Sequence, residues 1–310
     1  MNKKNSVNID KSPQMPYNEA NQIHENEVFP MIKIGFIDYY LDEWHANNSP
    51  AMIEKASGGE MTVAYAYGMI DSPIGGMTTD AWCEKYGVQK IGTIEEIVEL
   101  SDVLVVLSPD NCEMHEELCR IPLASGKRCY VDKTFAPDYP TAKRIFDNAE
   151  AHGTPCYSTS ALRFADEYRN IDTTGIRAVQ IWGPAGFETY SIHQLEPLAM
   201  LMKAAPKRVM YLPGEGFYTL MIEYCDGRYA SIAGYRDGSP FMMNLAKADG
   251  NCVINVESPF FDRFIDNLVD FFRTGDVKVP HEETLHIMAL RGAGLAAQQV
   301  PGEWVEVVEG

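Results

Sequence analysis

Hydrophobic positions in the first half of the chain come in short unbroken runs. "MIKIGFID" (31–38), "MTVAYAY" (61–67), "DVLVVLS" (102–108) and "RCYVD" (128–132) are each of strand length and apolar on both faces. A strand built this way is covered on both sides, the condition of a parallel sheet between helices. The segments between the runs carry helix signals. Thr93-Ile94-Glu95-Glu96 is a capping box, in which threonine and a glutamate three residues on satisfy the first backbone N–H groups. "EMHEELCRIPLASG" (113–126) predicts a helix ending at Gly126, and "YPTAKRIFDNAEAHG" (139–153) one with Pro140 in its first turn and a stop at Gly153. Strand and helix alternate to about residue 155, which predicts a Rossmann-like doubly wound parallel sheet.

The second half changes period. "FYTLMIEYC" (217–225) and "RYASIAGYR" (228–236) alternate apolar and polar around Asp226-Gly227, a hairpin signal. With "IRAVQIWG" (176–183) and "MMNLAKA" (242–248) they predict a mainly antiparallel open sheet, one face solvated or set against a partner. Two helices close the chain. The first, within 258–275, starts at Ser258-Pro259, stops at Gly275, and carries Phe261, Phe264, Leu268 and Phe272 as a stripe that reads as core. The fold class is thus α/β, with a C-terminal α+β domain after the Rossmann-like one. Domains are expected at 31–155 (nucleotide binding) and 156–310 (substrate and oligomerisation). Residues 1–30 are polar, Asn-rich and aperiodic, and read as a disordered extension or as sequence upstream of a working first residue at Met31.

A formal charge of −18 makes nucleic acid and anionic membranes poor partners. No apolar run approaches the roughly 20 residues that span a bilayer. No apolar leader follows Lys3 and Lys4. The seven cysteines are scattered without a CxxC pair, so neither a disulfide framework nor a metal site is expected, and the thiols read as reduced in a cytoplasm.

The chemistry concentrates where the 128–132 strand delivers Asp132-Lys133 at its carboxyl end, the edge at which open parallel sheets bind ligands. A lysine there either is solvated and inert or points into the cleft. Its surroundings form a pattern. Ser108-Pro109, His115, Gly126-Lys127 and Asp132-Lys133-Thr134 resemble the "TP…H…GKHV…EKP" series of Gfo/Idh/MocA oxidoreductases, with 18 residues from His115 to Lys133. "CEKYGV…TIEEIVE", "SALRF" (160–164), "SIHQLEPLAMLM" (191–202) and "HEETLHIMALRGAGLAA" (281–297) are also similar to that family, so the resemblance runs from about Met31 to the C-terminus. It implies oxidation or reduction of CH–OH groups in a sugar, polyol or related carbohydrate with NAD or NADP. It also implies a homo-oligomer formed through the C-terminal sheet. Lys133 matches the lysine that binds substrate and cofactor and helps proton transfer, and His193 the histidine of a D-x-x-x-H pair. The aspartate of that pair is replaced by Thr189, and Tyr190 beside it can give or take a proton. Arg163, from "SALRF", is a further candidate for orienting substrate or cofactor.

The cofactor side departs from the family. The candidates there are Ile37, Asp38, Tyr39, Tyr40 and Leu41 in the first turn, Ser108 and Pro109 after the third run, and Asp132 and Lys133. A dinucleotide turn needs glycines so that backbone N–H groups approach the pyrophosphate. Here Asp38 and Tyr40 stand where the first two glycines belong, and Glu43 near the third. One carboxylate at about 5 Å from one phosphate charge costs about 3 kcal/mol at an effective dielectric of 20. The acid that would hold the adenosine ribose is also absent from "AYAYG", and Asp71 comes too late. Asp42 and Glu43 are expected to complement the helix dipole and Asp38 to cap the turn, while Tyr39 and Tyr40 either stack on a flat ring or cover the sheet edge. The expected function is an NAD(P)-dependent oxidoreductase of a carbohydrate-like substrate. The alternative is a degenerate family member that binds a metabolite or acts as a scaffold, with dinucleotide binding weak or lost. Redox-neutral epimerisation or elimination on a trapped cofactor ranks below both.

Overall fold

The computed structural model describes residues 30–308. The disordered extension expected over 1–30 falls, Pro30 apart, outside the described residues. Six strands, β1 (Ile32–Asp38), β2 (Met61–Gly68), β3 (Gln89–Lys90), β4 (Val103–Val106), β5 (Cys129–Val131) and β6 (Cys156–Tyr157), form a parallel sheet in the order β3-β2-β1-β4-β5-β6. The order reverses between β1 and β4, so the ligand crevice of a doubly wound sheet opens there, outside the carboxyl ends of the strands. Helices α1 (Trp44–Ser57), α2 (Thr79–Tyr86), α3 (Ile94–Leu100), α4 (His115–Cys119) and α5 (Tyr139–Ala151) make the crossovers. Their caps follow the sequence: Thr93 accepts from the Glu96 amide at 3.2 Å, and Asp138 from the Thr141 amide at 2.9 Å.

The helix expected over 113–126 is broken. Only α4 is α-helical, with 3-10 turns at Cys112–Met114 and Pro122–Ala124 on either side. Pro122 lacks the N–H and crowds the preceding turn, which ends the helix early. Gly35 shows why β1 needs a glycine: a Cβ there would lie 2.3 Å from Ser101 Oγ at the end of α3.

The second sheet, β12-β11-β7-β10-β9-β8-β13, is antiparallel except for the β7–β10 pair. Its strands are β7 (Ile176–Pro184), β8 (Pro206–Gly214), β9 (Phe217–Tyr224), β10 (Tyr229–Tyr235), β11 (Met242–Lys247), β12 (Gly250–Asn255) and β13 (Trp304–Glu306). The expected hairpin is β9–β10, with Gly227 at φ 82° in its turn. Inward positions Val179, Ile181, Leu220, Ile222 and Ile232 are buried, whereas Gln180, Tyr229 and Val253 are exposed on the sheet. Helix α6 (Phe187–Met202) and α8 (His281–Ala297) pack with the buried face. Between β12 and α8 the chain returns to the first sheet as α7 (Phe260–Thr274), whose Phe264, Leu268, Phe271 and Phe272 share one core with Ile34, Phe36 and Val105 of β1 and β4 and Ile53 of α1.

Candidate active site

The ends of β4 and β5 are fixed by one buried histidine. His115, at the start of α4, reaches the Phe135 carbonyl with Nδ1 (3.0 Å) and the Leu107 carbonyl with Nε2 (2.5 Å). Burial, opposed by these carbonyls, lowers its pKa. The ring thus sits between the two segments that follow the strands, with its one N–H donated to one of the two carbonyls. Ser108 adopts φ 88°, a region L-residues seldom enter, and its hydroxyl donates to the Asn111 carbonyl at 3.1 Å. This turn sets Pro109 and Asp110 at the rim of a cavity of about 360 Å³, a size suited to a small-molecule ligand.

Asp132 and Lys133 form the floor. The Asp132 carboxylate is buried and well supplied with donors: the Lys133 amide at 2.8 Å, the Tyr130 hydroxyl at 3.2 Å, and Nδ1 of His45 in the first turn of α1. Burial pushes its pKa up, but the charge and hydrogen bond of His45, with Lys133, outweigh that and hold it at about 2. For His45 burial pushes the other way, and the Asp132 carboxylate outweighs it, so the imidazole is held above its ordinary value. The pair is thus an orienting carboxylate and a histidine, with Nε2 lacking a hydrogen-bond partner among the described residues. The His45 ring stays 17% exposed and lines the cavity. Lys133 is half-buried on the same wall, and its peptide to Thr134 is cis.

Helix α6 supplies the facing wall through Thr189, Tyr190 and His193. His193 Nδ1 lies 2.7 Å from Ser160 Oγ, which also accepts the Leu162 amide at 3.2 Å. When the serine hydroxyl donates to Nδ1, the one N–H of the neutral ring sits on Nε2 and is a donor toward the cavity. Burial, reinforced by the positive charges of Lys133 and His45, pushes the His193 pKa down to about 3, so the ring is neutral. Tyr190 is 40% exposed, its ring 4.9 Å from that of His193. Trp44, Phe241, Phe260, Phe261 and Phe264 close the remaining sides. Polar groups on two walls and flat apolar faces on a third suit a ring that carries hydroxyls on its rim and C–H on its faces.

Of the residues singled out from sequence, Lys133, Asp132, His193, Tyr190 and Pro109 meet in this cavity. Arg163 does not. Its guanidinium is buried in ion pairs with Glu196 (2.6 Å) and Glu283. Glu196 also accepts from the Thr159 hydroxyl at 2.8 Å, so this cluster locks the 159–164 turn, and with it Ser160, against α6. Ser108 is buried, and Ile37 and Leu41 belong to the cores. The sequence reading missed His45, Trp44, Phe241 and Phe260, and assigned Phe261 and Phe264 to the core alone. The available signal was "DEWHANN" (42–48), a histidine beside a tryptophan at the helix start.

The turn between β1 and α1 is filled by its own side chains. Glu43 is the N-cap of α1: its carboxylate accepts from the His45 amide at 2.6 Å and from the Ala46 amide. Asp42 accepts from the Met77 amide at 2.7 Å and from Asn47 at 3.0 Å, fastening the 69–78 loop over the helix start. Beyond the strand ends, the amides of Met69 and Ile70 donate to the carbonyls of Asp38 and Tyr39 at 3.0 and 2.9 Å. Asp38 does not cap the turn as expected. Both its oxygens are buried without a hydrogen-bond partner, and burial, then the nearby Glu43, raises its pKa well above the usual carboxylate range. Tyr40 is buried and Tyr39 half-buried, so the pair covers the sheet edge, with the rings at 67° to each other.

No family model matches the sequence. No curated protein matches it. Solved structures do. The chain is similar to apo scyllo-inositol dehydrogenase from Lactobacillus casei, at 14% identity and a TM-score of 0.72, covering 90% of this chain and 98% of that one. The same enzyme with NAD(H) and scyllo-inositol bound gives 14%, 0.71, and 89% and 99% coverage. GenD2 from gentamicin A biosynthesis, in complex with NAD, gives 12%, 0.71, and 96% and 100%. The chain has the two-sheet fold of Gfo/Idh/MocA-type oxidoreductases: a parallel Rossmann-like sheet followed by a mostly antiparallel one.

That fold implies a nicotinamide dinucleotide, and the residues present do not fit its pyrophosphate. The N–H groups that would meet the phosphate at the start of α1 already bind the Glu43 carboxylate. The carboxyl of Asp38 stands buried where the turn would need bare backbone, and the 69–78 loop is tied across the helix start. The obstacle differs from the one expected. Burial raises the Asp38 pKa well above the usual carboxylate range, and its buried carboxyl blocks by occupying space.

Proposed function

We propose that the chain is an enzyme of the sugar- and polyol-oxidoreductase group. Its cavity takes a small polyhydroxylated molecule or the corresponding keto form, and works at a CH–OH or C=O centre. Lys133 would engage the oxygen of that centre as a cationic hydrogen-bond donor, favouring the oxyanionic form during proton transfer. Neutral His193 would donate from Nε2 to a neighbouring hydroxyl, and Tyr190 would offer a hydroxyl at the rim. The aromatic wall would receive the C–H face of the ring. One observation carries the reading: Lys133, just past β5, and Tyr190 and His193, on α6, line one cavity of suitable size. The inositol dehydrogenase neighbours support the substrate class.

NAD or NADP is the oxidant the neighbours point to, and NAD is the one bound in two of them. The filled turn favours a second reading, in which the chain keeps the substrate cavity without dinucleotide turnover. Domains divided near residue 155, a cytoplasmic setting and assembly through the second sheet belong to the proposal. The seven unpaired cysteines support the setting. Among the described residues no helix is long and apolar enough to cross a membrane.

Calorimetric titration with inositols, aldoses and ketoses tests the substrate class. At least one polyol should bind to the wild type, and Lys133→Ala should weaken it about 100-fold with little change in melting temperature, since the side chain is half-exposed. Binding that survives the substitution would remove Lys133 from its role.

A further inference from the structure

We infer that this cavity carries out redox-neutral proton transfer at a carbon next to a carbonyl, with His45 as the base and no dinucleotide. The inference rests on the polyhydroxylated-substrate half of the proposed function and replaces its oxidant.

The start of α1 is the pivot. In a dinucleotide-binding turn it faces phosphate. Here it is satisfied from within by Glu43, and the two residues that follow, Trp44 and His45, line the cavity instead. His45 has the geometry of a proton acceptor: Asp132 accepts from Nδ1–H, so the neutral form of the ring, reached once the ion pair gives up its second proton, presents its lone pair at Nε2, and the ring is reachable from the cavity. Asp132 is itself fixed by the Lys133 amide and the Tyr130 hydroxyl, so the pair is oriented from behind. Edge-on contacts of the imidazole with Trp44 and Phe261, at ring separations of 5.4 and 5.9 Å, hold the ring plane. Lys133 follows Asp132 in the chain, so the carboxylate that orients the base and the oxyanion partner issue from one short segment, while the base itself comes from α1. The charges of both bear on His193 from across the cavity.

The step balances without an oxidant. His45 Nε2 takes a proton from the carbon beside the carbonyl. The electron pair of that C–H bond forms a C=C bond, and the carbonyl π pair moves to oxygen, which receives a proton from the Lys133 ammonium. The enediol then returns one oxygen proton to Lys133 and accepts the imidazolium proton at carbon. Return to the same carbon with solvent-derived hydrogen is exchange. Return to the other face, or to the adjacent carbon, is epimerisation or isomerisation.

The test uses the whole chain, first denatured in a control sample to show that no nucleotide is released. The folded protein is placed in D2O with scyllo-inosose, D-fructose or dihydroxyacetone. Loss of the proton beside the carbonyl is followed by proton NMR, and binding of each probe by calorimetry. The expected result is exchange of at least one bound probe without added cofactor, and loss of at least 100-fold in rate in His45→Gln with the probe's affinity kept. The pH dependence of the rate should follow the histidine titration. Parallel titrations with NAD+ and NADH should show no binding. Three outcomes overturn the inference and leave the substrate class standing: a probe that binds without exchanging, exchange that persists in folded His45→Gln, or micromolar dinucleotide binding. Absence of binding by any probe overturns both readings. The wild-type exchange and the nucleotide titrations decide the matter even where the variant fails to fold.

Discussion

Strands β1 and β5 end at the same edge of the same sheet, with only β4 between them, and each delivers a buried aspartate there. The two carboxyls behave in opposite ways. Asp132 is supplied with His45, the Lys133 amide and the Tyr130 hydroxyl, and is held ionised at about 2. Asp38 has no side-chain donor, only the neighbouring Tyr39 and Tyr40 amides to lower it, and burial with Glu43 drives it well above the ordinary range. Burial is alike in both, so the supply of partners decides the charge. One strand end has become an ion pair facing a cavity. The other has become a buried plug in the turn between β1 and α1.

The comparison is sharpened most by removing a buried charge whose partners cannot follow it out. Arg163→Met strands the Glu196 carboxylate and should cost about 4 kcal/mol of unfolding free energy in urea, while polyol affinity stays within about twofold. A large loss of affinity would place Arg163 in the site after all. Asp132→Asn, which leaves His45 without its counter-ion, should cost about 3 kcal/mol. Asp38→Asn should change stability by less than about 1 kcal/mol, because neither carboxyl oxygen makes an ion pair or hydrogen bond that the change would break. Equal costs at the two aspartates would break the comparison.

The pH dependence is smaller. Glu43 sits at about 7 against an ordinary 4.5, chiefly through burial. Below 4.5 both folded and unfolded chains hold the proton; between the two values only the folded chain does. Stability is therefore lost as pH rises, by at most about 3 kcal/mol between pH 4.5 and 7.5. Asp38 and His45, both raised, act in the same direction. The lowered His193 and His115 act in the opposite direction below pH 6.5, so the Glu43 contribution is read as a difference. The stability of the wild type relative to Glu43→Gln should fall from pH 5 to pH 8, and a difference that rises over this range would contradict the burial of Glu43.

The fold was legible because its signals are local. Unbroken apolar runs, the Thr93 box and Asp226-Gly227 each act within a few residues, and each appears where expected. Where a proline interrupted the pattern, at Pro122, periodicity was misleading. The resemblance pointed to Lys133 and His193, and both line the cavity. It did not point to His45, whose placement depends on Asp132, 87 residues away, and no spacing announces such a pair. Arg163 was misplaced for the same reason: two carboxylates, 33 and 120 residues distant, claim it. The turn is filled by Glu43 and Asp42 through hydrogen bonds to distant amides, and the burial that raises the Asp38 pKa comes from packing that the sequence does not display.

Helix α7 gives the molecule an order of assembly. Its aromatic residues finish one face of the parallel sheet, yet they are made more than 200 residues after β1. At ribosomal speeds of roughly 5–20 residues per second, that face waits about 10–40 s for its cover. During that interval Ile34, Phe36 and Val105 have no native partner from α7, and the nascent sheet is a natural client for a holding chaperone. Chains ended before residue 260 should emerge as aggregates rather than as a smaller folded protein.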